Sequence, residues 1–140
     1  MDSFEQFLKI RIVKKHEDGV TISLPLRQEF MNNAGVLHGG IIATLADEAV
    51  GFAVDFHFKR KQRITTTELK VNYLLPVKGK RLSARCYLVR VGRHLCVGRV
   101  DLMDDRNLNS HWDGNLHAVG SHNVKCKRTG RDACPMHMAS

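Results

Sequence analysis

The sequence predicts an α+β fold in which one antiparallel sheet packs against a single long helix. Two strand-like segments open the chain, a stretch with helical periodicity follows, and four further strand-like segments come after it. Short connections between strands favour antiparallel neighbours. No internal repeat and no long linker interrupts this order. At 140 residues the chain is long enough to bury one hydrophobic core.

Changes in the spacing of apolar residues define each predicted element. The segments FLKIRIVKK and GVTISLPL alternate in polarity around the turn signal HEDG, which predicts an opening hairpin. Residues 40–56 have helical periodicity and form the predicted helix. The four later strands are ITTTELKVNYLLP, KRLSARCYLVRV, RHLCVGRVDLMDD and GNLHAVGSHNVKC, separated by PVKGK, VGR and DRNLNSHWDG.

The predicted helix has a broad apolar face that is expected to pack on the sheet, and a polar edge that is expected to be solvated. The apolar face comprises Ile41, Ile42, Leu45, Ala49, Phe52 and Phe56, and the polar edge comprises Thr44, Glu48 and Asp55.

Asp47 lies nearly opposite the apolar face, among the small apolar residues Ala43, Val50, Gly51 and Val54. An aspartate in such surroundings costs stability unless it has partners or a function. A surface aspartate on a helix rich in alanine and valine is the simpler alternative. A solvated face normally carries Lys, Glu or Gln, however, so the composition favours a cleft around Asp47 that another subunit covers.

The sequence His-Gly-Gly stands where the helix begins, at residues 38–40. Gly39 and Gly40 have no side chains, so a ligand can approach their amides closely. The first N–H groups of a helix lack internal acceptors and lie at the positive end of its dipole, which suits a developing oxyanion. Asp47 follows about 10–12 Å further along by helical rise. A substrate lying along the helix could therefore meet both.

Three segments resemble the hotdog-fold acyl-CoA thioesterases of the phenylacetate-degradation type. They are NNAGVLHGGIIATLADEAVG, TTELKVNYLLPVKGKRL and VRVGRHL, in the order and spacing of that family. An asparagine six residues before the histidine and an acid nine residues after it make the combination fairly specific. The resemblance runs from about residue 20 to about residue 126, and we expect one hotdog domain over residues 1–126. The basic tail over residues 127–140 lies outside the family pattern and is expected to be flexible.

The resemblance implies a hydrolase that cleaves acyl-CoA to a free acid and CoA without a cofactor. Asp47 would activate water or attack the thioester carbonyl, and the Gly39 amide would polarise that carbonyl. A thioester carbonyl is electrophilic and its thiol leaving group is fairly acidic, with a pKa of about 8.5 for cysteine as a guide. Such a site needs a base or nucleophile and an oxyanion hole, but no strong general acid.

Three further residues acquire roles from the resemblance. His38 and Asn32 would help to place substrate and water, and spacing alone favours Asn32 over Asn33. Thr66 stands where the family has a Ser or Thr, which is contributed across the dimer interface and orients the water. The family resemblance thus implies a homodimer or homotetramer with paired sites at a subunit interface.

The net charge of +8 favours an anionic partner, and CoA carries several phosphates. Gly40 at the helix start is a predicted substrate-binding residue, and the resemblance places CoA along the segment after the long strand and at the next hairpin. The implied residues there are Tyr73, Pro76, Lys78, Arg90, Gly92, Arg93 and His94. Lys59, Arg60 and Arg63 form a further basic cluster. For each of these side chains, a solvated surface charge is the alternative interpretation.

The N-terminal segment lacks the basic and apolar regions of a signal peptide, and no apolar run approaches the ~20 residues of a membrane span. We therefore expect a soluble cytoplasmic protein with no membrane partner. Cys86 and Cys96 lie in strand-like runs and are expected to be small buried hydrophobic residues.

Two segments depart from the family pattern. DRNLNSHWDG is longer than a minimal turn and contains Trp112, which has no assigned role. The tail, together with His122, reads H-x3-C-x7-C-x2-H, which raises a zinc hypothesis. The cysteine spacing is wrong for common zinc knuckles, so we predict no metal site.

Rival functions are a non-catalytic acyl-CoA sensor and a nucleic-acid-binding module on the same fold. The basic tail favours the second, but an aromatic content of 6% disfavours base stacking. A hotdog dehydratase or hydratase would need a catalytic histidine paired with an acid. The position of His38 at the helix start gives that reaction little support.

Overall fold

The computed structural model describes residues 3–59, 62–107 and 118–127. Its elements run in the predicted order of two strands, one long helix and four strands, so the predicted α+β architecture is confirmed. The elements are α1 (Phe4–Leu8), β1 (Arg11–His16), β2 (Gly19–Pro25), α2 (Gly39–His57), β3 (Arg63–Tyr73), β4 (Arg81–Val91), β5 (Leu95–Asp104) and β6 (Ala118–Lys127), with short 3-10 helices at Gln28–Phe30 and Asp105–Asn107.

The N-terminal residues correct the prediction, which began the first strand at Phe7. Residues Phe4–Leu8 form helix α1 instead, and β1 begins at Arg11. The Ser3 hydroxyl accepts a hydrogen bond from the Gln6 amide, and the Gln6 side chain accepts one from the Ser3 amide at 2.8 Å. This capping box reads S-x-x-Q in the sequence. The spacing of apolar residues does not indicate this motif.

The strands form one antiparallel sheet in the order β1-β2-β4-β5-β6-β3, and α2 packs against it. Consequently β3 is an edge strand that is joined to the sheet through β6. The register sets Thr66 of β3 opposite Val124 of β6. At the other end of β3, Tyr73 lies opposite Ala118, which in turn lies opposite Leu102 of β5.

Helix α2 buries Ile42, Leu45 and Ala49 of the predicted apolar face, but the rest of its buried face differs from the prediction. Val50 and Val54, which the prediction placed around Asp47, are fully buried in the core, whereas Phe52 and Phe56 are only partly buried. The buried residues of the helix are Ile42, Leu45, Ala46, Ala49, Val50, Ala53 and Val54. Asp47 therefore lies on the flank of the helix, where it is half-buried, and not opposite the core.

Gly98 of β5 explains why Val50 can face the sheet. A Cβ atom at position 98 would lie 2.7 Å from Cγ2 of Val50 and 3.4 Å from Sγ of Cys86, so glycine lets the strand approach the helix closely here. Cys86 and Cys96 are both buried, as predicted. Burial raises the pKa of the Cys86 thiol to about 12, which keeps the thiol protonated at neutral pH.

Substitution of Gly98 by alanine is expected to destabilise the fold by about 1–3 kcal/mol, because the added methyl overlaps Val50 in a packed core. Gly120 of β6 is the matched control. A Cβ there would make only ordinary contacts, at 3.5 Å or more, so Gly120→Ala should be tolerated. Urea denaturation of the two variants and the wild type measures both effects. Equal free energies of unfolding for the two variants would contradict this account of the packing.

Candidate active site

A cleft of about 540 Å³ lies between the flank of α2 that carries Asp47 and the edge strand β3. Its lining residues lie at helical spacing along α2 and at every second position from residue 62 to residue 66, so each set shares one face. The lining comprises Asp47, Glu48, Gly51, Phe52 and Asp55 from the helix; Gln62, Ile64, Thr66 and Val124 from the sheet side; and Ser3 and Glu5 from the N-terminal segment.

The hydroxyl of Thr66 donates a hydrogen bond to Oδ1 of Asp47 at 2.8 Å. The family resemblance implied that Thr66 reaches the site from a second subunit. In the structure Thr66 contacts Asp47 of its own chain, because β3 runs alongside the helix. The hydrogen bond orients the carboxylate within the cleft.

Two acids predicted to be solvated also line the cleft. Glu48 and Asp55 are both half-buried. Oδ1 of Asp55 accepts a hydrogen bond from the Gln62 amide at 2.7 Å, which fastens the start of the β3 segment to the helix. The polar edge predicted for α2 is therefore part of the wall of the cleft.

The helix start leaves two amides available for a ligand. Ile41 and Ile42 donate from their N–H groups to the carbonyl of His38, at 3.0 and 3.3 Å. Within residues 3–59, 62–107 and 118–127, the amides of Gly39 and Gly40 donate to no protein acceptor. His38 is the N-cap residue, and its exposed side chain makes no capping hydrogen bond. This geometry suits an oxyanion or another anion.

Tyr73 lies against the same helix start. Its hydroxyl donates to the carbonyl of Gly39 at 3.0 Å. A Cβ atom at position 39 would lie 3.3 Å from the Tyr73 ring, so the glycine allows the ring to pack closely. The predicted oxyanion donor and a predicted CoA-binding residue are therefore in direct contact.

The Gly39 amide and the Asp47 carboxylate are two helical turns apart, about 12 Å by helical rise. Both residues lie in the one continuous helix α2, so a long substrate could touch both. Groups that act on one carbonyl must each lie about 3 Å from the reacting atoms. One chain alone therefore cannot place both groups on the same carbonyl.

Asn32 holds the loop that leads to His38. Its side-chain oxygen accepts hydrogen bonds from the amides of Ala34 and Val36, at 2.9 and 3.1 Å. Gly35 between them has a φ of 70°, which glycine adopts readily. This contact gives Asn32 a structural function, and its predicted part in placing substrate and water stays a prediction.

The predicted CoA-binding residues fall into two separate groups. Tyr73, Pro76 and Lys78 follow β3, whereas the others, Arg90, Gly92, Arg93 and His94, lie at the β4–β5 hairpin. The register places Tyr73 level with Leu102, which is about seven residues, or roughly 23 Å, along β5 from Leu95 at the hairpin. A single chain therefore does not bring the two groups together.

Asp104 fastens the segment that carries Lys78, a function that the sequence did not reveal. Its buried carboxylate accepts hydrogen bonds from the amides of Lys78 and Gly79, both at 3.3 Å, and from Nη2 of Arg106 at 2.7 Å. Arg106 also donates to the carbonyl of Pro76 at 3.4 Å. These partners are distant in sequence from Asp104 or follow an irregular turn, so no local pattern indicates them.

Several predictions concern residues that the structure does not describe. Arg60, Trp112 and residues 128–140 lie outside the described residues, as do the side chains of His122 and Cys126 in the zinc hypothesis. Lys59 and Arg63 are exposed. In the described part of the chain, no group of three or more His, Cys, Asp or Glu residues is arranged to hold a metal ion. No helix of that part has the length and apolar character needed to cross a membrane.

Comparisons with known proteins agree on the fold. The family model of the thioesterase superfamily matches residues 34–110. The medium/long-chain acyl-CoA thioesterase YigI of Escherichia coli K12 is 34% identical over 86 residues, which cover 52% of this chain and 56% of YigI. A thioesterase family protein from Silicibacter pomeroyi is 27% identical with a TM-score of 0.74, covering 89% of each chain. A variant of the phenylacetic acid degradation protein PaaI from Thermus thermophilus is 21% identical with a TM-score of 0.73, covering 89% of this chain and 98% of PaaI. The predicted hotdog fold is confirmed.

Replacing Asn32 by alanine should destabilise the chain by about 1 kcal/mol, because two loop amides lose their acceptor. Asn32→Asp keeps the acceptor oxygen and should stay near wild type, and Asn33→Ala, which alters the neighbouring exposed asparagine, is the matched control. Amide hydrogen exchange at Ala34 and Val36 reports the loop directly. Unchanged exchange in Asn32→Ala would rule out this loop-holding function.

Proposed function

The chain belongs to the thioesterase superfamily, and on that basis we propose that it hydrolyses acyl-CoA to a free acid and CoA. The observation that carries the proposal is the half-buried Asp47 carboxylate, oriented by Thr66 at 2.8 Å inside the cleft between α2 and β3. The similarity to YigI, an acyl-CoA thioesterase, supports CoA as the thiol part of the substrate. The phenylacetate-degradation subtype stays a prediction, because similarity to PaaI at 21% identity is evidence for the fold alone.

Asp47 supplies the reactive carboxylate in this proposal. As a base it takes a proton from water while the water oxygen attacks the thioester carbonyl. As a nucleophile it attacks the carbonyl itself, and water then hydrolyses the resulting anhydride. In the first route the tetrahedral intermediate collapses with cleavage of the carbon–sulfur bond; in the second that bond breaks as the anhydride forms, before water hydrolyses it. In both routes the CoA thiolate leaves and is protonated. Both need the ionised carboxylate in a defined orientation, which the Thr66 hydroxyl provides.

The Gly39 amide stabilises the oxyanion of the tetrahedral intermediate. Because Gly39 and Asp47 are about 12 Å apart along one helix, the amide that serves a given Asp47 comes from a second copy of the chain. His38 caps the same helix start and Asn32 lies in the loop that leads to it; in this proposal both help to place substrate and water. The protein therefore works as a homodimer or a larger homo-oligomer with paired sites.

CoA binding, in this proposal, also needs residues from two copies of the chain. Lys78 lies close in sequence to Tyr73, which contacts Gly39, whereas Arg90, Arg93 and His94 are exposed at the opposite end of the sheet. A second copy can bring the hairpin of one chain to the helix start of the other, and the cationic side chains then meet the phosphates of CoA.

Asp47→Asn should lower kcat/KM for acyl-CoA substrates by about 100-fold or more, because the amide cannot serve as a base or a nucleophile. Asparagine keeps the size of the side chain and an oxygen that can accept from Thr66, so the fold should be preserved. A panel of acyl-CoAs of different acyl groups, assayed by release of free thiol, measures the effect. Equal rates for variant and wild type would remove Asp47 from the chemistry.

Thr66→Val removes the hydroxyl with little change in shape, and kcat should fall on the order of tenfold to hundredfold as the carboxylate loses its orientation. Thr66→Ser is the control, because serine retains a hydroxyl at the same carbon and should keep most of the activity. Steady-state kinetics with one good acyl-CoA substrate compares the two. If valine and serine lower kcat equally, the hydrogen bond to Asp47 has no part in the reaction.

A further inference from the structure

We propose that Gly51 and Ile64 form a constriction in the cleft that the acyl chain passes, and that this pair determines which acyl lengths are accepted. The inference rests on the proposed function, and it specifies which acyl groups the substrate can carry. Neither residue is assigned a function by the family resemblance.

The helix and the edge strand face each other across three successive residue pairs. Asp47 pairs with Thr66 through a side-chain hydrogen bond of 2.8 Å. One turn further along the helix and two residues back along the strand, Gly51 faces Ile64. One step beyond, Asp55 accepts from the Gln62 amide at 2.7 Å. The outer pairs are closed by hydrogen bonds, whereas the middle pair has no side chain on the helix.

The space at the middle pair depends on the glycine. A Cβ atom at position 51 would lie 3.3 Å from Cδ1 of Ile64, which is tighter than usual packing. Gly51 is in the interior of α2 and does not have a positive φ, so the backbone does not require glycine. Glycine weakens a helix interior relative to alanine. The glycine instead lets Ile64 pack directly against the helix, so the cleft is narrow at this pair.

The walls near the constriction suit an acyl chain better than the phosphates of CoA. Phe52, Ile64 and Val124 supply apolar surface to the cleft, whereas the exposed cations Lys78 and Arg93 are not among its lining residues. An acyl chain whose carbonyl sits at Asp47 reaches Gly51 after one helical turn, about 6 Å. Chains of about six or more carbons therefore meet the constriction, and an acetyl group does not.

The test compares kcat/KM for octanoyl-CoA and acetyl-CoA in the wild type, Gly51→Ala, Ile64→Val and the double variant, and then in two further variants. We expect Gly51→Ala to lower the octanoyl-to-acetyl ratio about tenfold, as is typical when one methyl group changes the fit of a pocket. Ile64→Val removes Cδ1, the atom that the new methyl would meet, so the double variant should return towards the wild-type ratio. Gly51→Val, with a larger side chain, should lower the ratio further.

Thr44→Ala is the matched control, since it also raises helix propensity in α2 but does not line the cleft. It should keep the wild-type ratio, and thermal unfolding should show every variant folded. A Gly51→Ala ratio equal to that of the wild type, or a double variant no better than Gly51→Ala, would overturn the constriction. If the wild type cleaves no acyl-CoA at all, the proposed function itself fails, and the two failures are therefore distinguishable.

Discussion

The packing of α2 along the edge strand β3 is the constraint on which the candidate site depends. Because the helix and the strand run in opposite directions, each turn of the helix meets the residue two positions earlier in the strand. Asp47 thereby meets Thr66, and Asp55 meets the amide of Gln62. Val50 and Val54 secure this arrangement from the adjoining face of the helix, where they are fully buried against the sheet. The cleft therefore exists because the helix buries the neighbouring face.

The same helix also limits what one chain can do. It carries the proposed oxyanion donor at Gly39 and a carboxylate at Asp47, but a rigid helix holds them about 12 Å apart. The basic groups proposed to bind CoA are divided in a similar way between the two ends of the sheet. A second copy of the chain that supplies the Gly39 amide and the other group of basic residues would remove both distance limits. A fold this small can in this way hold a large substrate between subunits.

Much of the fold follows from the sequence, because alternation and helical periodicity are local signals. The small residues around Asp47 predict a cleft there, but two of them, Val50 and Val54, lie in the core, and only Gly51 lines the cleft. Only part of the buried face of α2 was predictable, since Val50 faces a strand in which Gly98, far along the chain, leaves room for it. The partner of Thr66 and the contacts of Asp104 likewise depend on strand register and on an irregular turn, which local patterns do not encode. The capping box at Ser3 is visible in the sequence as S-x-x-Q, although the spacing of apolar residues does not indicate a helix there.

The central claim is that Asp47 of one copy works with the Gly39 amide of another, and subunit complementation tests it most directly. Gly39→Pro removes the amide hydrogen at a helix position where proline is tolerated, and Gly39→Ala controls for the added Cβ beside Tyr73. Gly39→Pro and Asp47→Asn chains, each inactive alone, are co-expressed in equal amounts and purified together. The account predicts that random pairing restores about one quarter of the wild-type sites. Mixed protein as inactive as either parent would contradict it.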